Sequence, residues 1–242
     1  MGLAAQPAPA LSTNGLTMPD DFPVAAYEAV HGKMTPFSGV NNEVYGQFAG
    51  AWNAISYRYR AFADCDELFT ASISTHGAAP NAIERYRQER DLFGFFSNGF
   101  STFEAFFYAV FAAGAFLQPA VFLIATSADQ QRITASRTIE AYARAVPKDA
   151  IVGRLQQIIN DTAYRELRDI RNVLTHRSAP GRTIHVAFGS EAAPNQWKLS
   201  NIVLDQNTTA TRRAHAARLL AAALEAFREF SEAHLSSTVG SP

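Results

Sequence analysis

Residues 105–117 read AFFYAVFAAGAFL, a wholly apolar run of thirteen positions. Whether this run crosses a membrane or fills a core decides the fold. A spanning helix needs about 20 apolar residues. Here Gln118 and Pro119 interrupt before AVFLIA resumes, and Glu104 stands immediately ahead of the run. Proline cannot sit inside a continued helix without losing a hydrogen bond. The stretch therefore reads as a buried core helix followed by a turn and a second apolar piece, with no membrane partner.

On either side the apolar residues keep a helical period. Upstream, Phe48, Trp52, Ile55, Tyr59, Phe62, Leu68 and Phe69 recur near 3.6-residue spacing over about 44–74. Gly77 and Pro80 then mark a turn, and Asn81 with Glu84 three residues on has the form of a capping box. The helix that follows, about 82–117, begins polar and ends aromatic. Downstream, a third helix is expected over about 128–145 and a fourth over about 149–177, its stripe formed by Leu155, Ile158, Ile159, Leu167, Ile170 and Leu174. The period then changes to two in TIHVAF (183–188), and QWKLSNIVLD (196–205) also reads as a strand, which predicts a β-hairpin over about 183–205. A last helix follows over about 208–236, capped by Thr208 or Thr209. The sum is mainly α: an antiparallel bundle of about five helices with a small β-hairpin inserted before the last. Residues 1–42, rich in Pro, Ala, Gly, Ser, Thr and Asn, read as a flexible arm with one short helix near 22–31, and 43–237 as a single domain.

The 242 residues are 48% hydrophobic and 12% aromatic, ample for a core, and their net charge of −1 gives no global field to attract nucleic acid. An anion site must be a local patch. Lys33, Lys148 and Lys198 are the only lysines, so the positive charge is nearly all arginine, the better bidentate partner for phosphate; a compositional bias toward Ala and Arg explains the same fact. Cys65 stands alone, in a setting that reads as a buried structural thiol, and fits a reducing, cytoplasmic location. The N-terminus carries no charge before Asp20 and no compact apolar run, and does not read as a secretory signal. HExxH, CxxC, a glycine-rich phosphate loop and a nucleophile elbow are all missing from the sequence, so neither a metal nor a cofactor is expected.

One stretch suggests chemistry. Residues 165–182, RELRDIRNVLTHRSAPGR, hold five arginines against Glu166 and Asp169, a local charge of +3. Histidine titrates near neutrality and can move a proton on or off a 2′-hydroxyl. Arginine can hold a phosphate and stabilise charge developing there, and asparagine can orient either group. On a regular helix Asn172 and His176 share a face, but Arg171 and His176 differ by about 140°. A site using both needs Arg171 to reach sideways, the helix to loosen near His176, or a second copy of the helix. The macrodipole alone also favours cations in a last helical turn. Spacing is equally weak evidence, since Arg228 and His234 in REFSEAH repeat it.

RDIRNVLTHR resembles the Arg-x(4–6)-His motif of the HEPN superfamily, in its form with a polar residue straight after the arginine. The outline is similar too, for HEPN domains are bundles of four or five helices with the motif late in the chain. The likeness covers about 43–237, and its specific part is about ten residues. It implies a metal-independent endoribonuclease with its site at a homodimer interface, in a toxin–antitoxin, stress or defence system, with RNA as substrate and an antitoxin or regulatory protein as a further partner. Arg171, Asn172 and His176 would be the catalytic set, with His176 as acid and base and Arg171 as phosphate stabiliser; Arg168, Arg177 and Arg182 would bind substrate. Other HEPN domains are inactive binding modules, and the resemblance allows that alternative. The hairpin is not in the minimal HEPN plan, so the chain would be an elaborated member.

Glu104, the one acid in the most apolar segment, has two readings. A lone buried carboxylate must be paired, which would set it facing the fourth helix and orienting Arg171; otherwise it lies at the wet edge of its helix. A further alternative gives the Phe-rich segment 103–125 an exposed role in membrane contact or assembly.

Overall fold

Helix α2, Asn42–His76, begins where Asn41 turns its side-chain oxygen onto the amide of Val44, 3.1 Å away. That satisfies a donor the first helical turn leaves unpaired. The computed structural model describes residues 15–176, 179–185, 194–199 and 201–235. Gly77, at φ 65°, follows α2 in the left-handed conformation that glycine adopts without a Cβ clash. Asn81 then caps α3, Ala82–Gly114, accepting from the Glu84 amide at 3.0 Å. Glu84 turns its own carboxylate to Arg87, 2.6 Å away, so the expected box is completed on one side only.

Ahead of α2, helix α1 (Val24–Met34) and a 3₁₀ turn (Thr35–Gly39) lie within the stretch whose composition reads as an arm. Tyr27, Val30 and Met34 of α1 are fully buried. Beyond α3 come α4 (Ser127–Gln131), α5 (Ala135–Ala145), α6 (Ala150–Asn160) and α7 (Thr162–His176). The two helices expected over about 128–145 and 149–177 are thus each divided. Thr126 and Asp129 form a capping box at α4, and Thr134 caps α5 by accepting from the Arg137 amide at 3.2 Å. Asp161 caps α7, accepting from the Ala163 amide at 2.7 Å. A short polar side chain that captures backbone donors stops one helix and starts the next.

Strands β1 (Gly181–Thr183), β2 (Gln196–Leu199) and β3 (Ile202–Val203) form an antiparallel sheet in the order β1-β2-β3. The single expected strand over 196–205 is two, paired Lys198 to Val203 and Leu199 to Ile202. Val186 and Phe188 of the expected first strand lie outside the described residues, and Ile184 is exposed. Asp205, rather than Thr208 or Thr209, opens α8 (Thr208–His234): its carboxylate accepts from the Asn207 amide at 2.9 Å while Thr208 Oγ1 accepts from the Asp205 amide at 2.8 Å.

The chain resolves into two units, and α2, α3, α6 and α8 each contribute to both. The first comprises residues 1–57, 103–157 and 220–242. Its core is aromatic. Tyr27 stacks on Trp52 at 5.2 Å, Phe48 on Trp52 at 5.3 Å, and Phe227 approaches from α8 at 6.1 Å. The Tyr27 hydroxyl donates to the Trp52 carbonyl and the Trp52 indole to the Tyr27 carbonyl, which fixes α1 against α2. The apolar run of α3 lies here. Residues 105–115 are buried apart from the half-buried Tyr108, whose hydroxyl donates to Gln47 Oε1 at 2.7 Å. Phe103, Phe106, Phe107, Phe111 and Phe122 are buried, so these rings are not open to the exposed role considered for 103–125, in which Leu123 is the exposed large apolar residue. Phe122 lies so close over Gly114 that a Cβ there would collide with its ring. No helix among the described residues is long and apolar enough to cross a membrane.

The second unit comprises residues 58–102 and 158–219. Phe62 and Phe95 meet at 4.3 Å, and a Cβ on Gly99 would stand 2.7 Å from the Phe62 ring, so glycine sets how closely α2 and α3 approach here. Trp197 of β2 is fully buried and meets Phe69 at 5.8 Å, which ties the sheet to the helices. Tyr164, Leu167 and Ile170 form the buried face of α7.

Candidate functional site

All of the basic residues singled out between 165 and 182 belong to the second unit, which holds 14 Lys and Arg against 11 Asp and Glu, while the first holds 7 against 11. The small net charge of the chain therefore hides a polarity between the two.

The buried stripe of α7 leaves Arg171 beside it, half-buried. Its guanidinium carbon lies 4.7 Å from the centre of the Phe100 ring, and Phe100 in turn touches Tyr164 at 5.4 Å. Arg171 Nη1 donates to Asn172 Oδ1 at 3.2 Å. A ring face beneath and a carboxamide at one edge hold a planar cation in a set orientation. The structure thus brings together Arg171 and Asn172, as expected, and adds Phe100. The motif gives no hint of Phe100, which comes from a distant helix, α3.

His176 is exposed in the last turn of α7, and the helix stays regular to that residue. Loosening near His176 is thereby removed as a way of joining it to Arg171, and the two remain about 140° apart around one axis. Arg168 is exposed and hydrogen-bonded to Asp169 at 2.9 Å, a contact that raises its already high pKa. Arg165 donates to Asn160 at 2.7 Å. Arg177 lies outside the described residues.

Arg182 differs most from expectation. Its side chain is 8% exposed, its guanidinium carbon sits 3.6 Å from the Trp197 ring centre, and Nη1 donates to the Ala78 carbonyl at 2.7 Å and to Gln88 Oε1 at 3.1 Å. Glu89 stands 3.6 Å from Nε. Burial lowers its pKa against the opposing pull of Glu89. These contacts hold β1 to α3, and the guanidinium is not presented to a substrate. Glu104 is exposed rather than buried and falls in the first unit.

The second Arg–His pair serves as a comparison. Arg228 is clamped between Glu225 at 2.5 Å and Glu232 at 2.6 Å, and His234 meets Asp149 at 2.7 Å. The Arg228 guanidinium is thus occupied by two carboxylates. Among the described residues no three His, Cys, Asp or Glu side chains gather as a metal cradle. A cavity of about 590 Å³ opens in the first unit among Val44, Gln47, Phe116, Phe122 and Ile124, and none of the expected site residues lines it.

No family model, curated protein or solved structure matches the chain.

Proposed function

We propose that the chain is a metal-independent endoribonuclease of the HEPN kind, acting as a homodimer in which Arg171, Asn172 and His176 form a site duplicated by symmetry. One observation carries the reading: an arginine oriented by Asn172 and the Phe100 ring stands five residues ahead of an exposed histidine at the end of a basic helix.

In this mechanism His176 takes the proton from a 2′-hydroxyl, and the 2′-oxygen attacks the adjacent phosphorus. The bond from phosphorus to the 5′-oxygen breaks, and that oxygen leaves with a proton from a protonated imidazole. The products are a 2′,3′-cyclic phosphate and a free 5′-hydroxyl. Arg171 holds the phosphate and stabilises the charge that builds on it. A second copy supplies the other imidazole and compensates for the angular separation of Arg171 and His176 on one helix.

That same separation favours a second reading, an RNA-binding module without catalysis, in which Arg171 contacts phosphate and His176 plays no chemical part. Mixed RNA incubated in EDTA with wild type, Arg171→Ala and His176→Ala separates the two. Cutting by wild type alone, leaving cyclic phosphate ends, is the expected result. Cutting that survives both substitutions rejects the nuclease assignment, and binding without cutting by all three moves the chain to the second reading.

A further inference from the structure

The cavity of about 590 Å³ in the first unit falls within the range of about 300–1,000 Å³ that takes small organic ligands, whereas packed interiors leave few voids larger than a water molecule. Its walls are apolar and anchored. Phe122 is seated over Gly114, where a Cβ would collide with its ring, and meets Phe111 at 5.2 Å and Tyr142 at 5.0 Å. Phe116 meets Phe37 at 4.8 Å. Val44, Ala115 and Ile124 add aliphatic surface. Val40 and Leu123 also line the cavity and are 57% and 48% exposed, so it opens to solvent beside them.

The polar lining decides what such a ligand carries. Asn41 commits its side-chain oxygen to the Val44 amide at 3.1 Å. Gln47 Oε1 accepts from the Tyr108 hydroxyl at 2.7 Å, and Gln130 Nε2 donates to the Ile124 carbonyl at 3.2 Å, which leaves Gln130 Oε1 as an acceptor. Glu43 is exposed and makes no ion pair among the described residues. No Lys, Arg or His lines the cavity among the described residues. The helix ends here oppose one another, since Glu43 stands in the first turn of α2 while Ala115 and Phe116 follow the last residue of α3. The Glu43 carboxylate is therefore the charge a ligand meets, in a unit that holds 11 Asp and Glu against 7 Lys and Arg. It repels a carboxylate or phosphate and attracts an amine. We propose that the cavity binds a small organic amine with an apolar, ring-bearing body: the body lies among Phe116, Phe122 and Val44, the ammonium group meets the Glu43 carboxylate, and Gln130 Oε1 accepts a further hydrogen. The site is independent of the RNA reading above.

The test uses the full chain and three probes with one body: naphthylethylamine, naphthylethanol and naphthylacetic acid. Calorimetric titration follows each against wild type, Glu43→Gln and Val44→Phe, with thermal melting to check that the variants fold. The amine binds wild type with a Kd below about 1 mM and about two- to fivefold more tightly than the alcohol, and the acid binds most weakly. Glu43→Gln, an exposed change that leaves the walls intact, removes the preference for the amine. Val44→Phe fills the space and weakens amine and alcohol alike, about tenfold or more; should that variant not fold, Leu123→Gln at the exposed lip weakens both in the same sense. No saturable binding of the amine by wild type overturns the site. Binding of the acid as tight as that of the amine, or a preference for the amine that survives Glu43→Gln, overturns the assigned chemistry. Binding untouched by Leu123→Gln and by a folded Val44→Phe protein places the probe elsewhere and overturns the site as well.

Discussion

Arg182 is the residue on which an RNA-binding and a structural role part most sharply. Arg182→Ala removes a guanidinium packed 3.6 Å from the Trp197 ring centre and leaves the Ala78 carbonyl and Gln88 Oε1 without their donor. A desolvated cation–π contact contributes about 2 kcal/mol, and each stranded buried acceptor costs roughly 1–3 kcal/mol. Against this, the guanidinium itself no longer has to be taken out of water, and its Nε and Nη2 are buried without a hydrogen-bond acceptor among the described residues. The balance is a destabilisation of about 3 kcal/mol, slightly over a hundredfold in the folding constant. Arg182→Met, which keeps the stem against Trp197, should lose about half as much. Urea unfolding followed by tryptophan fluorescence reads the effect as a lowered midpoint at unchanged slope. An Arg182→Ala protein that unfolds within about 0.5 kcal/mol of wild type, yet binds RNA more weakly, would refute the structural assignment and return Arg182 to the substrate surface.

Two further predictions concern the contact of α2 with α3. Gly99→Ala places a Cβ 2.7 Å from the Phe62 ring and should lower stability by about 1–3 kcal/mol; a melting temperature equal to that of wild type would show that Phe62 gives way freely. Cys65 is held to about 11 from an ordinary 9.0, by burial first and by Asp91 and Asp64 next. The unfolded thiol therefore releases its proton at lower pH than the folded one. Stability from this group is intact below about pH 9 and falls as pH rises toward 11. Wild type should lose more stability than Cys65→Ala between pH 8 and pH 10.5, and parallel loss in the two would contradict the assignment.

The long helices were legible because burial and period agree over many turns. Phe48, Trp52, Ile55, Tyr59, Phe62 and Phe69 of α2 are all buried. Leu68 is 52% exposed because its neighbour Phe69 takes the inward position at that turn. The helix breaks were not legible, since each depends on one short side chain, Thr134 or Asp161, inside an otherwise helical pattern. The β2–β3 turn was hidden for a related reason, because no glycine or proline interrupts 196–205. At the site, Arg171 and Asn172 were adjacent in sequence and are bonded in space. The burial of Arg182 against Trp197 and the Phe100 ring under Arg171 join distant segments, and periodicity carries no trace of such pairings.

The two units meet at four places along the chain, after residues 57, 102, 157 and 219, and each falls inside a helix rather than in a linker. Neither unit is a continuous stretch of polypeptide. A protease nick or truncation cannot release one intact, and a gene fusion or exon boundary cannot transmit one without the other. The basic unit with its oriented arginine and the acidic, aromatic-cored unit are therefore inherited, synthesised and lost together, even though their charges suggest separate tasks.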